Sequence, residues 1–336
     1  MKKKFCYLLI FDSFILCCGV NAQKPVSDTT TLEDVVISAS KFNVKKKNIV
    51  QKIDVISSKK IAEANSQNTG DLLINTGNVF VQKSQQGGSS PVLRGFEASR
   101  VLLIVDGIRL NNAIYRGGHL QNVITVDQNM LERVEIMYGP SSSIYGSDAL
   151  GGVIHLRTKS PVLSPGNKLL VKSSEFFRYS TANKEKTGHA DLSLGGKKLA
   201  WLQSYTYSDF GDTKMGSDYP KKYPNFGRRS KYIDNIGGVD YIVTNNDDRV
   251  EHFSGYKQWD ITQKLLFKQS DKVSHRINAQ YSSTNNVPRY DRLQDIKNFG
   301  GSIGTVLRYA KWYYGPQTRY LGAYELNIAH AGFLDE

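Results

Sequence analysis

The chain has 336 residues, of which 40% are hydrophobic and 22% are charged, and its formal net charge at pH 7 is +13. The hydrophobic content excludes an intrinsically disordered chain, and the lack of a three-residue glycine period excludes collagen. Glycine and strand-forming residues outweigh helix-forming residues, which excludes a coiled coil. Length and composition together predict a folded, β-rich chain of about two domains.

Residues 1–22 have the pattern of a secretory signal peptide. Lysines at positions 2–4 give a basic start, an apolar stretch follows, and Val20-Asn21-Ala22 fits a cleavage site of small residues. A transmembrane helix would need about 20 uninterrupted apolar residues, and Asp12 interrupts this stretch. All three cysteines lie in this segment, so the mature chain, expected to begin at Gln23, contains no disulfide and no thiolate metal site.

The positive net charge has two interpretations, a nucleic-acid surface or solvated charges on loops. Basic runs at residues 45–47, 221–222 and 228–229 fit either one. An exported protein does not meet nucleic acid in its compartment, so we expect solvated loops and no nucleic-acid partner.

Residues 23–31 are polar and have too little apolar surface to offset the entropy lost on ordering, which predicts a flexible leader. The β-branched segment Asp34-Val35-Val36-Ile37-Ser38-Ala39 follows and is predicted to form a short strand. No neighbouring segment is expected to pair with it. An unpaired strand of this kind can add to the sheet of another protein.

Residues 49–160 alternate between strand and helix signals, which predicts a compact α/β domain. Predicted helices at 57–64 and 69–74 begin with capping residues and carry apolar positions over one or two turns. A buried strand at 100–105 ends at Asp106-Gly107, a strong signal for a two-residue hairpin. Further strands are predicted at residues 52–56, 79–81, 133–137 and 152–156.

From residue 161 onwards the apolar positions recur with a period of two. Trp259 and Ile261 share one face of a predicted strand. Asp260, Thr262 and Lys264 share the other face. This alternation fits either a soluble β-sandwich or a lipid-facing barrel with a wet interior. Connection lengths favour the barrel, because short turns alternate with long polar links. The short turns are at residues 195–198, 270–272 and 315–317, and the long links are at about 209–255 and 283–302.

Aromatic residues near the predicted strand ends fit the interfacial girdles of such a barrel, although a sandwich core could also use them. They are Tyr205, Tyr207, Trp312, Tyr313 and Tyr314.

The sequence lacks the common catalytic signatures of zinc proteases, phosphate-binding loops and serine hydrolases. Glycine-rich stretches are present, but they lack the lysine and the strand-loop-helix context of a phosphate cradle. We therefore expect neither an enzyme nor an intrinsic cofactor.

Four segments in chain order carry a family resemblance. They are the strand at 34–39, PVLRGF at 91–96, VLLIVDGIR at 101–109, and residues 131–154. Together they resemble the TonB-dependent outer-membrane receptor family, in which the first segment corresponds to the TonB box. The resemblance is close over residues 32–158 and extends beyond them only as a strand pattern.

This resemblance implies a membrane β-barrel with an N-terminal α/β plug domain. It assigns residues 23–48 to a flexible leader with the TonB box, 49–160 to the plug and 161–336 to a partial barrel. Roughly the first seven of about 22 antiparallel strands would be present. A barrel of that size needs about 220 residues in strands, at about 10 per strand, so the chain is expected to be incomplete.

The resemblance also implies active transport across the outer membrane of a Gram-negative bacterium. The TonB energy-transducing complex and outer-membrane lipid would be partners, and the plug and N-terminus would face the periplasm. Arg94, Glu132, Arg133 and Glu135 resemble the charged positions that pair the plug with the barrel wall. Contacts that water can replace suit a plug that must move.

Residues 110–124 resemble plug loops of receptors for haem, haemoglobin and other iron sources. Tyr115, Arg116 and His119 in this segment are candidate ligand contacts, and imidazole is a suitable ligand for iron. His119 would bind a metal only if the transported ligand is haem, and His155 is interpreted as structural. Haem, a haem protein or another iron complex is therefore the expected ligand. A receptor for a siderophore, cobalamin or an oligosaccharide is an alternative, as is a truncated binding module that does not transport.

Overall fold

Two β-sheets contain most of the strand residues, one with five strands within residues 53–158 and one with six strands within residues 170–328. The computed structural model of the chain describes residues 35–36, 44–45, 48–110, 123–218, 222–299 and 302–329. No helix in these ranges is long and apolar enough to span a bilayer.

A two-residue strand pair precedes the first sheet. β1 (Val35–Val36) pairs antiparallel with β2 (Val44–Lys45). The expectation that the 34–39 strand has no local partner is therefore wrong for these two residues, because Val44 and Lys45 supply a second strand nearby in the chain. Asp34, Ile37, Ser38 and Ala39 lie outside the described residues.

The five-stranded sheet and a separate hairpin follow. The strands are β3 (Ile53–Ser57), β4 (Phe80–Gln85), β5 (Gly88–Val92), β6 (Val101–Val105), β7 (Ile108–Arg109), β8 (Leu131–Tyr138) and β9 (Gly152–Thr158). The order in the sheet is β3-β8-β9-β6-β7, in which β6 and β9 are parallel, and β4 and β5 form the hairpin. We call residues 48–158 the α/β unit.

The first helix of the α/β unit begins at its predicted cap, Ser57, whereas the cap of the second is Asn68, one residue before the predicted Thr69. The side-chain oxygen of Ser57 accepts a hydrogen bond from the backbone N–H of Lys60 at 3.5 Å, and that of Asn68 accepts one from Asp71 at 3.0 Å. The predicted helices at 57–64 and 69–74 are thus confirmed. The helices are α1 (Ser58–Ala64), α2 (Thr69–Ile74) and the single turn α3 (Ser142–Tyr145).

Burial on both faces explains the continuous apolar run of β6. Leu103 and Val105 contact a core shared with α1, α2 and β8. Leu102 and Ile104 contact a second core on the other face, which includes Met137. A central strand covered on both faces shows no polar alternation, and this is why the sequence predicted it as a buried strand.

The second half of the chain contains the remaining strands. They are β10 (Leu170–Ser180), β11 (Glu185–Gly195), β12 (Leu199–Phe210), β13 (Lys231–Ile236), β14 (Val239–Thr244), β15 (Tyr256–Lys268), β16 (Val273–Thr284), β17 (Val287–Pro288), β18 (Ile296–Phe299), β19 (Ser302–Leu307), β20 (Tyr313–Tyr314) and β21 (Thr318–Ile328). β10, β11, β12, β15, β16 and β21 form one sheet in this order, each antiparallel to the next. We call it the wall sheet. The other strands and α4 (Tyr290–Leu293) lie in its two long links.

Burial in the wall sheet is inverted, with polar side chains buried and apolar side chains exposed. Glu185, Thr187 and Ser282 are fully buried on one face. Tyr320 and Tyr324 on the other face are 77% and 62% exposed. The buried polar face contacts the α/β unit, so the exposed apolar face is the one that suits lipid.

Aromatic pairs lie at both ends of the exposed face. The ring centroids of Tyr207 and Trp259 are 4.3 Å apart at one end, and those of Phe267 and His275 are 5.9 Å apart at the other. Trp259 and Phe267 both belong to β15, and their separation corresponds to about 26 Å along a strand. This is close to the apolar band of about 25 Å in outer-membrane barrels.

Of the predicted girdle residues, Tyr205 and Tyr207 lie on the exposed face of β12. Trp312, Tyr313 and Tyr314 do not lie on the wall sheet, so the girdle prediction is wrong for them. They belong to the second long link, where β20 pairs with β17.

The predicted turn at 315–317 is also wrong as a connection between wall strands. These residues instead form the end of the second link, which runs from residue 285 to 317. The link is this long because it contains two short strand pairs of its own, β17 with β20 and β18 with β19. The wall sheet therefore has six strands among the described residues, where roughly seven were expected.

Gly152 is expected to be intolerant of a side chain. Its φ is 146°, and a Cβ would lie 2.4 Å from the Met137 carbonyl oxygen. Gly152→Ala combines backbone strain with this clash and should destabilise the α/β unit by about 2–4 kcal/mol. Hydrogen exchange of the β9 amides measures the change. Gly166→Ala is the control, because Gly166 has an ordinary φ and open space around it. Equal protection of β9 in both variants would contradict the prediction.

Candidate functional site

The α/β unit contacts the buried polar face of the wall sheet through hydrogen bonds and ion pairs. We call this contact the seam. One end of the seam lies near the short turns at 196–198 and 269–272, and the other lies near the long links. The described contacts fall into three groups between these ends.

Asp106 is at the centre of the group nearest the short turns. It lies in the turn between β6 and β7, where its φ is 48°. The N–H and the hydroxyl of Thr158, at the end of β9, donate to its carboxylate at 2.9 and 2.6 Å. From the wall sheet, Lys264 Nζ lies 3.0 Å away, and the amides of Asn278 and Gln280 donate at 2.8 and 2.9 Å. One carboxylate thus joins the α/β unit to two wall strands.

The charge of Asp106 is maintained by its partners. Burial raises the pKa of this carboxyl, but the ammonium of Lys264 and the hydrogen bonds from Thr158 outweigh the burial and leave the pKa below its ordinary value. Asp106 is therefore ionised at neutral pH. The side chain of Lys264 is only 8% exposed, so removing the carboxylate would leave a buried positive charge.

Asp127 lies at the centre of the second group of seam contacts. Its carboxylate accepts a hydrogen bond from the Thr206 hydroxyl at 2.5 Å, and the same hydroxyl oxygen lies 2.7 Å from His189 Nδ1. His189 Nε2 lies 3.2 Å from Asp191, which forms an ion pair with Lys159 at 2.6 Å. This network connects the α/β unit to β11 and β12.

Two backbone carbonyls of the α/β unit also accept hydrogen bonds from the wall sheet. The Gln258 amide donates to the Ile124 carbonyl at 2.7 Å, and the Arg319 guanidinium donates to the Thr125 carbonyl at 2.9 Å. Both carbonyls belong to a short 3-10 turn, Val123–Thr125. The wall sheet therefore holds the backbone directly after the undescribed residues 111–122.

Arg178 and Glu185 form the group nearest the long links. The Arg178 guanidinium lies 2.7 Å from Glu185 and donates to the Ser66 carbonyl at 2.9 Å. The Gln67 amide donates to Glu185 at 2.7 Å and to Asn183 at 3.1 Å. The first two wall strands are thus fixed to the segment between α1 and α2.

A pocket of about 600 Å³ opens at this end of the seam, between the β4–β5 hairpin and the long links. Five of its residues carry amides, which indicates a ligand rich in hydrogen-bonding groups. Burial raises the pKa of Tyr290 to about 12, so its hydroxyl stays protonated at neutral pH. No group of three or more His, Cys, Asp or Glu side chains among the described residues could hold a metal ion. The polar lining consists of Gln67, Lys83, Gln85, Gln86, Asn183, Thr213, Arg229, Glu251, Tyr290, Asp291 and Gln294.

The charged residues predicted from the resemblance have described contacts within the α/β unit. Arg133 Nε lies 2.9 Å from Glu135, and the Arg94 guanidinium lies over the Tyr138 ring at 5.3 Å from its centroid. Glu132 is exposed. Contact of these four residues with the barrel wall stays a prediction.

The predicted ligand contacts Tyr115, Arg116 and His119 lie outside the described residues. The described residues on either side of them, Leu110 and Val123–Thr125, have hydrogen-bond partners. Leu110 donates its backbone N–H to the Leu103 carbonyl at 2.8 Å, and the turn at Val123–Thr125 belongs to the seam.

Sequence reasoning did not identify the residues that form the described seam. Asp106 was recognised only as a turn residue, and Lys264 as one residue in the wet face of a strand. A usable signal was present, because Asp260 and Lys264 place charges on the inward face of one strand. Charged side chains that face the inside of a barrel filled by a plug are buried, so they need oppositely charged or hydrogen-bonding groups from the plug.

The known proteins that this chain resembles agree with this architecture. Residues 45–153 match the family model of the TonB-dependent Receptor Plug Domain. This segment is therefore similar to the plug domain of TonB-dependent receptors. We therefore call the α/β unit the plug.

Two curated relatives are similar in sequence. The vitamin B12 transporter BtuB of Vibrio vulnificus strain CMCP6 is 31% identical over 287 residues, which cover 81% of this chain and 45% of that protein. BtuB of strain YJ016 is 33% identical over 135 residues, which cover 39% of this chain and 21% of that protein. The chain thus spans less than half the length of these relatives.

Solved structures show the same fold. FpvA of Pseudomonas aeruginosa bound to heterologous pyoverdines superposes with a TM-score of 0.59 at 16% identity, over 88% of this chain and 34% of that one. The ferric enterobactin receptor PfeA of Pseudomonas aeruginosa, as a mutant in complex with enterobactin, gives 0.52 at 18% identity, over 82% of this chain and 38% of that one. The wall sheet therefore corresponds to part of a receptor barrel.

Removal of the Asp106 charge should weaken the seam, because the buried ammonium of Lys264 would lose its ion-pair partner. Asp106→Asn keeps the shape of the side chain but leaves a buried ammonium without its carboxylate, which should destabilise the docked plug by about 3 kcal/mol. Asp106→Asn combined with Lys264→Gln should destabilise it by about 2 kcal/mol less than the sum of the single changes. Hydrogen exchange of the β6 and β9 amides gives the free energy of opening for each variant.

The exposed ion pair Asp209–Lys257, at 2.8 Å, is the control for this cycle. Asp209→Asn with Lys257→Gln should show a coupling of at most about 1 kcal/mol. Additive effects at Asp106 and Lys264 would contradict the proposed importance of their ion pair.

Proposed function

We propose that this chain is the N-terminal part of a TonB-dependent active transporter of the outer membrane of a Gram-negative bacterium. The observation that carries the proposal is the seam, in which the plug is held by polar contacts to the wet face of a lipid-facing wall. Water can replace such contacts one at a time, so the plug can rearrange while the wall stays folded.

The proposed cycle has three steps. Ligand binds at the end of the long links, TonB pulls on the segment 34–39, and the plug rearranges to open a path along the wall. The plug and the N-terminus face the periplasm in this arrangement. Arg94, Glu132, Arg133 and Glu135 are proposed to contact barrel strands in the assembled receptor. The relatives are named as transporters and receptors, which agrees with a chain that is not an enzyme.

The ligand is proposed to be a small, polar metal complex, with cobalamin or a ferric siderophore ahead of haem. The amide-rich pocket of about 600 Å³ supports a ligand with many hydrogen-bonding groups. The relatives are named for vitamin B12, pyoverdine and enterobactin. The hypothesis that haem is the ligand is supported only by the candidate contacts Tyr115, Arg116 and His119. An oligosaccharide is also compatible with the amide-rich lining of the pocket.

Uptake by cells that express the natural gene product carrying this sequence tests the proposal. Radiolabelled cyanocobalamin, ferric enterobactin and haem are compared in the presence and absence of TonB. Uptake of one ligand that requires TonB is the expected result. Ligand binding without uptake in either strain would support the alternative of a binding module that does not transport.

Val36→Pro tests the proposed TonB box. Val35 and Val36 must leave β2 before they can add to a strand of TonB, and proline removes a backbone donor in the middle of that added strand. Uptake and pull-down by the periplasmic domain of TonB should therefore be lost, while ligand affinity at the cell surface should not change. Val36→Thr keeps the donor and the β-branch and is the matched control. Normal uptake by Val36→Pro would refute the assignment of the box.

His119→Ala tests haem as the ligand. If His119 binds haem iron, the variant should shift the Soret band and weaken haem affinity by about tenfold. His275→Ala is the control, because His275 lies on the lipid-facing side beside Phe267. Equal spectra and affinities for native protein and His119→Ala would remove His119 from the site, and a native protein that does not bind haem would exclude haem.

A further inference from the structure

A second cavity, of about 580 Å³, lies at the end of the seam near the short turns, opposite the pocket of about 600 Å³ beside the long links. Its wall side includes Lys264 and Arg276, on either side of the short turn at 269–272. Its plug side includes His155 and Arg157, which both belong to β9. The proposed transport cycle gives this cavity no role.

The charges that line this cavity are not balanced. Lys264 has Asp106 as a partner at 3.0 Å, and Arg276 lies 3.8 Å from Glu325. Arg157 is a third cation, and no hydrogen bond or ion pair joins its guanidinium to another described side chain. Asp106 forms no described ion pair with Arg157, and its carboxylate is already bonded to Thr158 and the wall sheet. The cavity therefore has one positive charge in excess.

A neighbouring like charge increases this imbalance. Arg157 is directly opposite Arg133 in the pairing of β9 with β8, and like charges at opposed positions repel each other. Burial and then Arg133 lower the pKa of the Arg157 guanidinium, and the charges of Glu135, Glu132 and Asp106 oppose this shift without cancelling it. The surroundings thus disfavour a positive charge on Arg157. An anion beside the guanidinium would reverse that effect.

His155 adds an unused hydrogen-bonding group to the same wall of the cavity. It precedes Arg157 by two residues in β9, so both side chains are on one face of the sheet. The residue is 4% exposed, and neither ring nitrogen has a hydrogen-bond partner in the described part of the chain. Because buried polar groups are nearly always hydrogen-bonded, an unpartnered imidazole at a cavity points to a polar ligand.

The protonation state of His155 defines what that ligand must offer. Burial lowers its pKa to about 4, against the opposing charge of Glu135 and Asp106 and with the support of Arg157 and Arg133. The imidazole is therefore neutral at pH 7 and has one N–H to donate. A ligand oxygen that accepts from this N–H and bears a negative charge would satisfy both His155 and Arg157.

We propose that the cavity binds an oxyanion, a carboxylate or phosphate group, through Arg157 and His155. The planar guanidinium donates two parallel hydrogen bonds to such a group, and the imidazole N–H donates a third. Lys264 and Arg276 keep their own carboxylates and contribute long-range attraction. The affinity therefore depends mainly on Arg157.

Calorimetric titration of the natural gene product with inorganic phosphate, and separately with citrate, tests the site. Saturable binding of at least one of them is expected. Arg157→Gln should weaken that binding by about tenfold or more, because it removes the charged bidentate donor. His155→Phe keeps the ring volume and removes the third donor, and it should weaken binding by about threefold.

Arg109→Gln is the matched control. It removes the same charge from the same sheet, but the Arg109 guanidinium pairs with Asp148 and does not line the cavity. Its phosphate affinity should equal that of the native protein, and thermal unfolding of all three variants shows whether they are folded. Equal affinity of native protein and Arg157→Gln would overturn the proposal, as would a native protein that binds neither anion.

The oxyanion has two possible sources, a free ion or an acidic group on the transported ligand. Reduced uptake by Arg157→Gln, with unchanged ligand affinity at the cell surface, assigns the site to the ligand. Unchanged uptake with lost phosphate binding assigns it to a free ion. The phosphate titration needs no transported ligand, so its result is independent of the proposed transport function.

Discussion

The buried carboxylate of Asp106 constrains both halves of the structure. An ionised carboxylate in a dry environment needs several donors, and those of Asp106 come from two parts of the chain. Thr158 provides donors from within the plug, and Lys264, Asn278 and Gln280 provide them from the wall. Neither part satisfies the charge alone, so the docked arrangement is the one in which the turn between β6 and β7 is fully bonded.

The same constraint explains why the wall sheet has inverted burial. A wall that holds a plug must present donors and acceptors inwards, and a wall in lipid must present apolar side chains outwards. Glu185 and Ser282 satisfy the first requirement, and Tyr320 and Tyr324 satisfy the second. Period-two alternation therefore corresponds to two different faces of the wall sheet, a polar face on the plug and an exposed apolar face that suits lipid.

The sequence predicted the elements that depend on local signals and missed the contacts that depend on the fold. The cap Ser57, the buried run of β6 and the Asp-Gly turn are local, and the structure confirms them. The contacts of the seam could not be predicted from local signals, because Asp106 and Asn278 are 172 residues apart in the chain.

The second link was predicted wrongly for a related reason. Its short strand pairs produce turn signals that resemble those between wall strands, and only the register of β16 with β21 distinguishes them.

The composition of the seam decides whether the plug can move under a pull. A typical hydrogen bond adds about 0.5–1.5 kcal/mol to stability after exchange with water, and bonds to charged groups add about 1.5–3 kcal/mol. An apolar interface of about 1000 Å² would instead add about 25 kcal/mol, which would be lost in one step on separation. Leu321 and Ala323 give the seam some apolar contact, but its described polar bonds are distributed from Asp106 to Arg178. A pull from the N-terminus can therefore break them in sequence, with water replacing each donor before the next bond is lost.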